Sequence, residues 1–154
     1  MSSTFTETDR YFMQRAYELA CLAETHNEVP IGSIVVSEGK IVGEGFNNSI
    51  GEHDPTAHAE LIALRQAAKT IGNYRLVGAT LYVTLEPCGM CAHAMIHARI
   101  KRLVFGAFDP KTGVAGSLSN TFELPFINHR VLVQGGLMSD TCGELLKKFF
   151  HRRR

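Results

Sequence analysis

From about Thr8 to His26, the apolar residues Phe12, Met13, Ala16, Leu19, Ala20 and Ala23 recur at steps of three and four, which predicts an amphipathic helix with one buried stripe. Pro30 ends the turn that follows. Ile31–Val36 and Ile41–Phe46 flank Ser37-Glu38-Gly39-Lys40, a hairpin signal that predicts the first two strands. Asn47 and Asn48 close the second strand, and a loop rich in Gly, His, Asp and Pro leads to Thr56, where a helix is expected to start and run through Leu61, Leu64, Ala67 and Ala68 to about Thr70. The alternating, β-branched run Thr80–Thr84 predicts a third strand, Cys88–Ala98 a helix with Met95 and Ile96 inward, and Arg102–Gly106 a fourth strand. Strand, helix and strand with short connections form a βαβ unit, so these two strands should be parallel and joined by a right-handed crossover. Ala107–Phe126 is longer than a compact domain usually leaves without purpose and is a candidate substrate loop. Arg130–Gln134 predicts the last strand, and a helix from about Ser139 to the terminus carries Leu145, Leu146 and Phe149 on one face. The sum is an α/β fold, a five-stranded mixed sheet between helices.

Composition narrows the class. With 154 residues, 45% of them hydrophobic, residues 1–154 suit a single domain with a proper core. Four cysteines in such a chain argue against a disulfide scaffold and for a reducing compartment. Cys21 and Cys142 lie on apolar helical faces, where a cysteine acts as a small buried hydrophobe. The segment from Met1 to Thr6 has neither a basic region nor a long apolar run, and no stretch of about 20 apolar residues occurs, so a cytoplasmic protein without a spanning helix is expected. Net charge is only +1, but its distribution is uneven. Lys147, Lys148, Arg152, Arg153 and Arg154 crowd the terminus, interleaved with Phe149, Phe150 and His151, and Arg99, Lys101 and Arg102 form a second cluster. Basic residues among aromatics suit phosphate contact and base stacking; a solvated helix end whose cations favour the C-terminal dipole accounts for the first cluster equally well.

The chemistry concentrates in Pro87-Cys88-Gly89-Met90-Cys91. A Cys-x-x-Cys pair alone suits either a redox couple or half of a metal site. His58, in Thr56-Ala57-His58-Ala59-Glu60, tips the balance towards metal. Two thiolates and an imidazole suit zinc, and three protein ligands rather than four leave the open position typical of catalytic sites. Glu60 then has a role as proton carrier beside the metal, not as a ligand. His58 and Glu60 are two apart, so both reach one pocket only from the first turn of their helix. If Pro87 opens the following helix, both sulfurs sit in its first turn, where free N–H groups favour the thiolate. The ligands would lie at the carboxyl end of the sheet, the usual place for sites in open α/β folds.

His-x-Glu followed by Pro-Cys-x-x-Cys is identified as the known signature of zinc nucleobase deaminases. The longer strings Asn27-Glu28-Val29-Pro30, His53-Asp54-Pro55-Thr56-Ala57-His58-Ala59-Glu60, Asn73-Tyr74-Arg75-Leu76, Leu81-Tyr82-Val83-Thr84-Leu85-Glu86-Pro87-Cys88, and Lys111-Thr112-Gly113 with Gly116-Ser117 resemble the bacterial tRNA-specific adenosine deaminases over nearly the whole chain. The resemblance implies a cytidine deaminase-like three-layer α/β/α fold, one zinc ion per subunit held by His58, Cys88 and Cys91, and Glu60 as the catalytic acid and base. It implies conversion of adenosine to inosine at the first anticodon position of tRNA, which lets one tRNA read several codons. Position by position, it implies that Asn47 contacts the flipped nucleoside, that backbone around Ala59 and Cys88 lines its pocket, and that Glu28, Val29 and Pro30 form a wall. Asp109 and Lys111 would lie along the anticodon stem-loop, and Phe150 and Arg153 would meet RNA outside the pocket. The residues also admit plainer roles: Asn47 as a turn residue, Asp109 as an Asx turn before Pro110, Lys111 as a solvated cation. A homodimer is implied as well, with the helix carrying Met90, Ala94 and Met95 as a candidate surface. The chain departs from the resemblance at Phe108, where a basic residue is expected, and at His93, where a smaller one is common; His93 and His97 are expected at the surface or behind the ligands.

Two other readings share part of this pattern. A deaminase of a free base or nucleoside would use the same motif and Glu60 but would not need the basic, aromatic terminus. A zinc-stabilised RNA-binding module without catalysis would predict a closed four-ligand site and no function for Glu60.

Overall fold

The computed structural model describes residues 5–153; the expectations for Met1–Thr4 and for Arg154 lie outside them. Helix α1, Glu7–Thr25, starts at a capping box in which the Thr6 hydroxyl accepts the Asp9 N–H and the Asp9 carboxylate accepts the Thr6 N–H. Its buried stripe is the expected one, with Asp9 added. Strands β1, Gly32–Ser37, and β2, Lys40–Phe46, form the expected hairpin, closed by Glu38 and Gly39, both at positive φ. Helix α2 spans Ala59–Ile71, β3 Thr80–Leu85, α3 Gly89–His97, β4 Arg102–Ala107, β5 Leu132–Gly135 and α4 Ser139–Arg152. Two expected starts shift. Asp54 captures the N–H and hydroxyl of Thr56 in a turn, so α2 begins at Ala59 rather than Thr56. Pro87 stays outside α3, which Cys88 N-caps.

The sheet order is β2-β1-β3-β4-β5; β1 is antiparallel to β2 and β3, and β3, β4 and β5 are parallel. Both faces are covered, which is why the central strands read as nearly continuous apolar runs. Val35, Leu81, Val83, Leu103 and Phe105 point into the layer with α2 and α3, whereas Ile34, Val36, Tyr82 and Val104 pack with α1. Helix α2 lies unusually close to β2. A Cβ on Gly45 would meet the Ala59 carbonyl oxygen at 2.5 Å, and one on Gly43 the Ala63 carbonyl oxygen at 2.2 Å, so the bare glycines set the depth at which the first turn of α2 sits. The stretch after β4 is ordered by an Ala115–Asn120 bridge and a short 3-10 turn, Thr121–Glu123, that buries Phe122. Among the described residues, no helix is long and apolar enough to cross a membrane.

A polar bridge crosses the α1 layer. Asp9, 3% exposed, accepts the Tyr82 hydroxyl at 2.8 Å and both terminal nitrogens of Arg102 at 2.8 and 2.9 Å, while Arg102 Nε donates to Gln134. This removes Arg102 from the basic cluster of Arg99, Lys101 and Arg102 as a free phosphate contact. Arg102 is spent on Asp9, and Arg99 donates to Asn128. Both lie towards the amino end of β4, a strand length of roughly 16 Å from its carboxyl end. Met95 is fully buried in the core, so it cannot belong to a subunit surface as expected; of that helix, Met90, His93 and His97 are exposed.

Candidate metal centre and active-site cavity

Two helix N-termini converge at the carboxyl ends of the central strands. His58 is the N-cap of α2 and Cys88 the N-cap of α3, both in extended conformation, and neither side chain makes a capping hydrogen bond. Their side chains are thereby free to face one another. Cys91 and Glu60 occupy the first turns behind them. The free N–H groups and dipoles at these ends favour negative charge on sulfur and carboxylate.

His58 Nδ1 lies 3.7 Å from Cys88 Sγ and 3.5 Å from Cys91 Sγ, and the three ligand atoms fall within 4.8 Å of one another. Tetrahedral zinc with usual bond lengths separates a nitrogen and a sulfur ligand by roughly 3.5 Å, so spacing and donor set both fit this metal. The Cys88 thiol is pulled down to about 4 by the hydrogen bond from Cys91 and by His58, while Cys91 is pushed up by its donation to Cys88 and by burial. His58 is raised, chiefly by Cys88. Burial pushes the Glu60 carboxyl, 4% exposed, up to about 7.

The centre opens into a cavity of about 930 Å³. Its lining includes His58, Glu60, Cys88, Val29, Asp109, Lys111, Phe150 and Arg153, so the structure brings most of the expected site residues together. Asn47, Ala59 and Pro30 are buried beside it rather than in the lining. Asn47 Oδ1 accepts the Ala59 N–H at 2.8 Å, satisfying a free amide at the start of α2 from outside the helix. Asp109 accepts from the Lys111 and Thr112 backbone and the Thr112 hydroxyl, the Asx turn that its sequence context admitted. Arg153 stacks 4.7 Å from the Phe149 ring centroid and donates to the Asn27 carbonyl, and Arg152 pairs with Glu24; these bonds tie the end of α4 to the turn after α1. Phe108 projects into the cavity and packs edge-on against Phe105 at 5.0 Å.

Sequence patterns assigned no hydrogen-bonding role to two buried carboxylates. Glu28 accepts the Ile50 and Gly51 N–H groups, and Glu86 accepts several donors from the stretch after β4. The available signal for Glu86 was a lone charged residue directly after the apolar end of β3, since carboxylates are rarely buried unpaired.

The family model for the cytidine and deoxycytidylate deaminase zinc-binding region matches residues 6–107. The chain belongs to this deaminase family. A tRNA-specific adenosine deaminase of Haemophilus influenzae is 52% identical over 97% of this chain and 87% of its own length, and one of Bacillus subtilis is 43% identical over 95% and 91%. A solved structure from work on A-to-I editing by tRNA deaminases at the wobble position superposes with a TM-score of 0.87 at 42% identity, covering 89% of this chain and 99% of that one. A guanine deaminase from Nitrosomonas europaea, 20% identical with a TM-score of 0.80 over 97% of this chain and 85% of its own, shares the fold. As in other members of a zinc-binding deaminase family, the metal implied for His58, Cys88 and Cys91 is zinc.

Proposed function

We propose that the protein hydrolyses adenosine to inosine at the first anticodon position of tRNA, releasing ammonia. The observation that carries the chemistry is a buried carboxyl, Glu60, beside a three-ligand centre at the floor of the cavity. Zinc held by His58, Cys88 and Cys91 would supply a water activated as nucleophile at neutral pH. Glu60 would take a proton from the attacking water, give it to the adjacent ring nitrogen of the purine, and serve the departing amine, a task that suits a buried carboxyl beside the ligands. Water plus adenosine then balances inosine plus ammonia. The remaining lining supports a macromolecular substrate: the cavity exceeds what one nucleobase fills, and Phe108, Lys111, Lys147, Phe150 and Arg153 give its walls aromatic faces and positive charge. An anticodon base already lies in a loop, so turning it into the cavity costs less than from a duplex. The protein would act in the cytoplasm, as a single domain and as a homodimer.

The test is a substrate panel: zinc-loaded protein with an anticodon stem-loop carrying adenosine at its first position, and with free adenosine, cytidine and guanine. Inosine in the stem-loop alone is the expected result. Turnover of a free base with the stem-loop untouched would retain the metal chemistry and overturn the RNA substrate.

A further inference from the structure

Glu86 is 2% exposed, two residues before the metal ligand Cys88, and takes no part in the chemistry above. Its oxygens are fully used by one segment. One accepts the Asp109 N–H at 2.9 Å and the Ser117 hydroxyl; the other accepts the Ala115 and Ser117 N–H groups at 2.9 and 3.0 Å. Among the described residues, no salt bridge reaches it. A buried carboxylate without a cation costs several kcal/mol unless its lone pairs are met by donors. Here the donors come only from residues 109–117, so this stretch is folded around the carboxylate. The chain wraps so tightly that a Cβ on Gly113 would meet the Glu86 Cδ at 2.4 Å. Backbone bonds reinforce the seam: Glu86 donates to the Ala107 carbonyl at 2.8 Å, and Val114 to the Pro87 carbonyl at 3.0 Å.

The same stretch builds one wall of the cavity through Phe108, Asp109, Pro110, Lys111 and Thr112. We infer that Glu86 is a positioning residue that joins the metal-ligand segment to this wall and holds the wall in its substrate-receiving shape before any substrate arrives. The inference rests on the proposed RNA substrate for what the wall receives, and on hydrogen bonding alone for its order. A preformed wall spares the ordering cost that a loop folding on binding would add, so its loss should weaken substrate capture more than the chemical step.

The experiment uses the full, zinc-loaded chain. Hydrogen exchange without RNA should show protected amides at Asp109, Ala115 and Ser117, and Glu86→Gln, which turns an amide donor towards these N–H groups, should lower their protection at least tenfold while the Leu81 and Met95 amides keep theirs. On the anticodon stem-loop, KM should rise about tenfold with zinc content unchanged and kcat altered far less. Gly113→Ala, which leaves the carboxylate in place and forces the wall away from it, should reproduce the pattern and carries the comparison if Glu86→Gln does not fold. Freely exchanging amides in the parent protein, unchanged protection in both variants, or a fall in kcat at constant KM would overturn the role of Glu86. Protected amides that open in the variants, with no conversion of the stem-loop by the parent protein, would support Glu86 as the holder of the wall and count against the RNA substrate alone.

Discussion

Asn47 supplies the cap of a helix to which it does not belong: its Oδ1 accepts the Ala59 N–H at 2.8 Å, directly between the metal ligand His58 and the proton carrier Glu60. His58 occupies the N-cap position but faces the sulfurs, so the helix end is satisfied from the strand β2 side instead. Asn47→Ala should cost about 1 kcal/mol of stability, the usual loss for a cap. It should also loosen His58 and lower zinc retention under competition with a chelator, whereas Asn47→Asp, which keeps the acceptor, should retain the metal. Thermal unfolding and metal analysis of the two variants check this.

The depth of α2 rests on Gly45. A methyl group there would enter the Ala59 carbonyl, which is backbone and cannot swing aside. Gly45→Ala should destabilise the protein by about 1–3 kcal/mol, the range for overpacking, and displace Glu60 relative to the ligands, so that activity falls further than the folded fraction does. Denaturant titration beside activity per folded molecule separates the two effects.

Asp9 and Arg102 predict an acid limb of stability. The Arg102 hydrogen bonds hold the Asp9 carboxyl below the usual carboxylate range. A depressed folded-state value means that the stabilisation is complete above the unfolded-state pKa of about 3.9 and is lost as pH falls from there through the folded value. Asp9→Asn should therefore cost about 3 kcal/mol at pH 7, as when one partner of a buried pair is removed, with the gap to the parent protein closing progressively below pH of about 4. Urea unfolding across that window measures it.

The two basic clusters should behave differently towards RNA. Lys111 and Lys147 line the cavity, while Lys101 lies near the opposite end of β4. Lys111→Ala and Lys147→Ala should each weaken stem-loop binding and reduce the salt slope by about 1. Lys101→Ala should change neither. Binding titrations at several salt concentrations decide.

The layered fold and the metal centre were legible in the chain because both rest on short-range patterns. The stripe from Phe12 to Ala23 has one face, and His58, Cys88 and Cys91 are read from spacing and ligand chemistry. Bonds between residues distant in sequence left no such trace. Nothing local separates Arg102 as a cation for phosphate from Arg102 as the partner of Asp9, 93 positions away, and Met90 and Met95, five residues apart on one helix, fall on different faces, one exposed and the other fully buried. The bonding of Glu86 was illegible for a further reason. Its donors are backbone N–H groups, which every residue but proline carries, so no side-chain pattern marks them.

Glu60→Gln bears most directly on the whole account, because it removes the proton carrier while preserving the shape of the buried side chain and leaving His58, Cys88 and Cys91 in place. The measurement is inosine at the first anticodon position of a full-length tRNA, mapped by sequencing after incubation with the zinc-loaded parent and variant. Quantitative inosine at that one position with the parent, and a loss of at least 1,000-fold in rate with a folded variant that still holds one zinc, is the predicted result; general acid and base catalysis alone accounts for about 100- to 10,000-fold. Undiminished inosine formation by the variant, or no inosine with the parent, would contradict it.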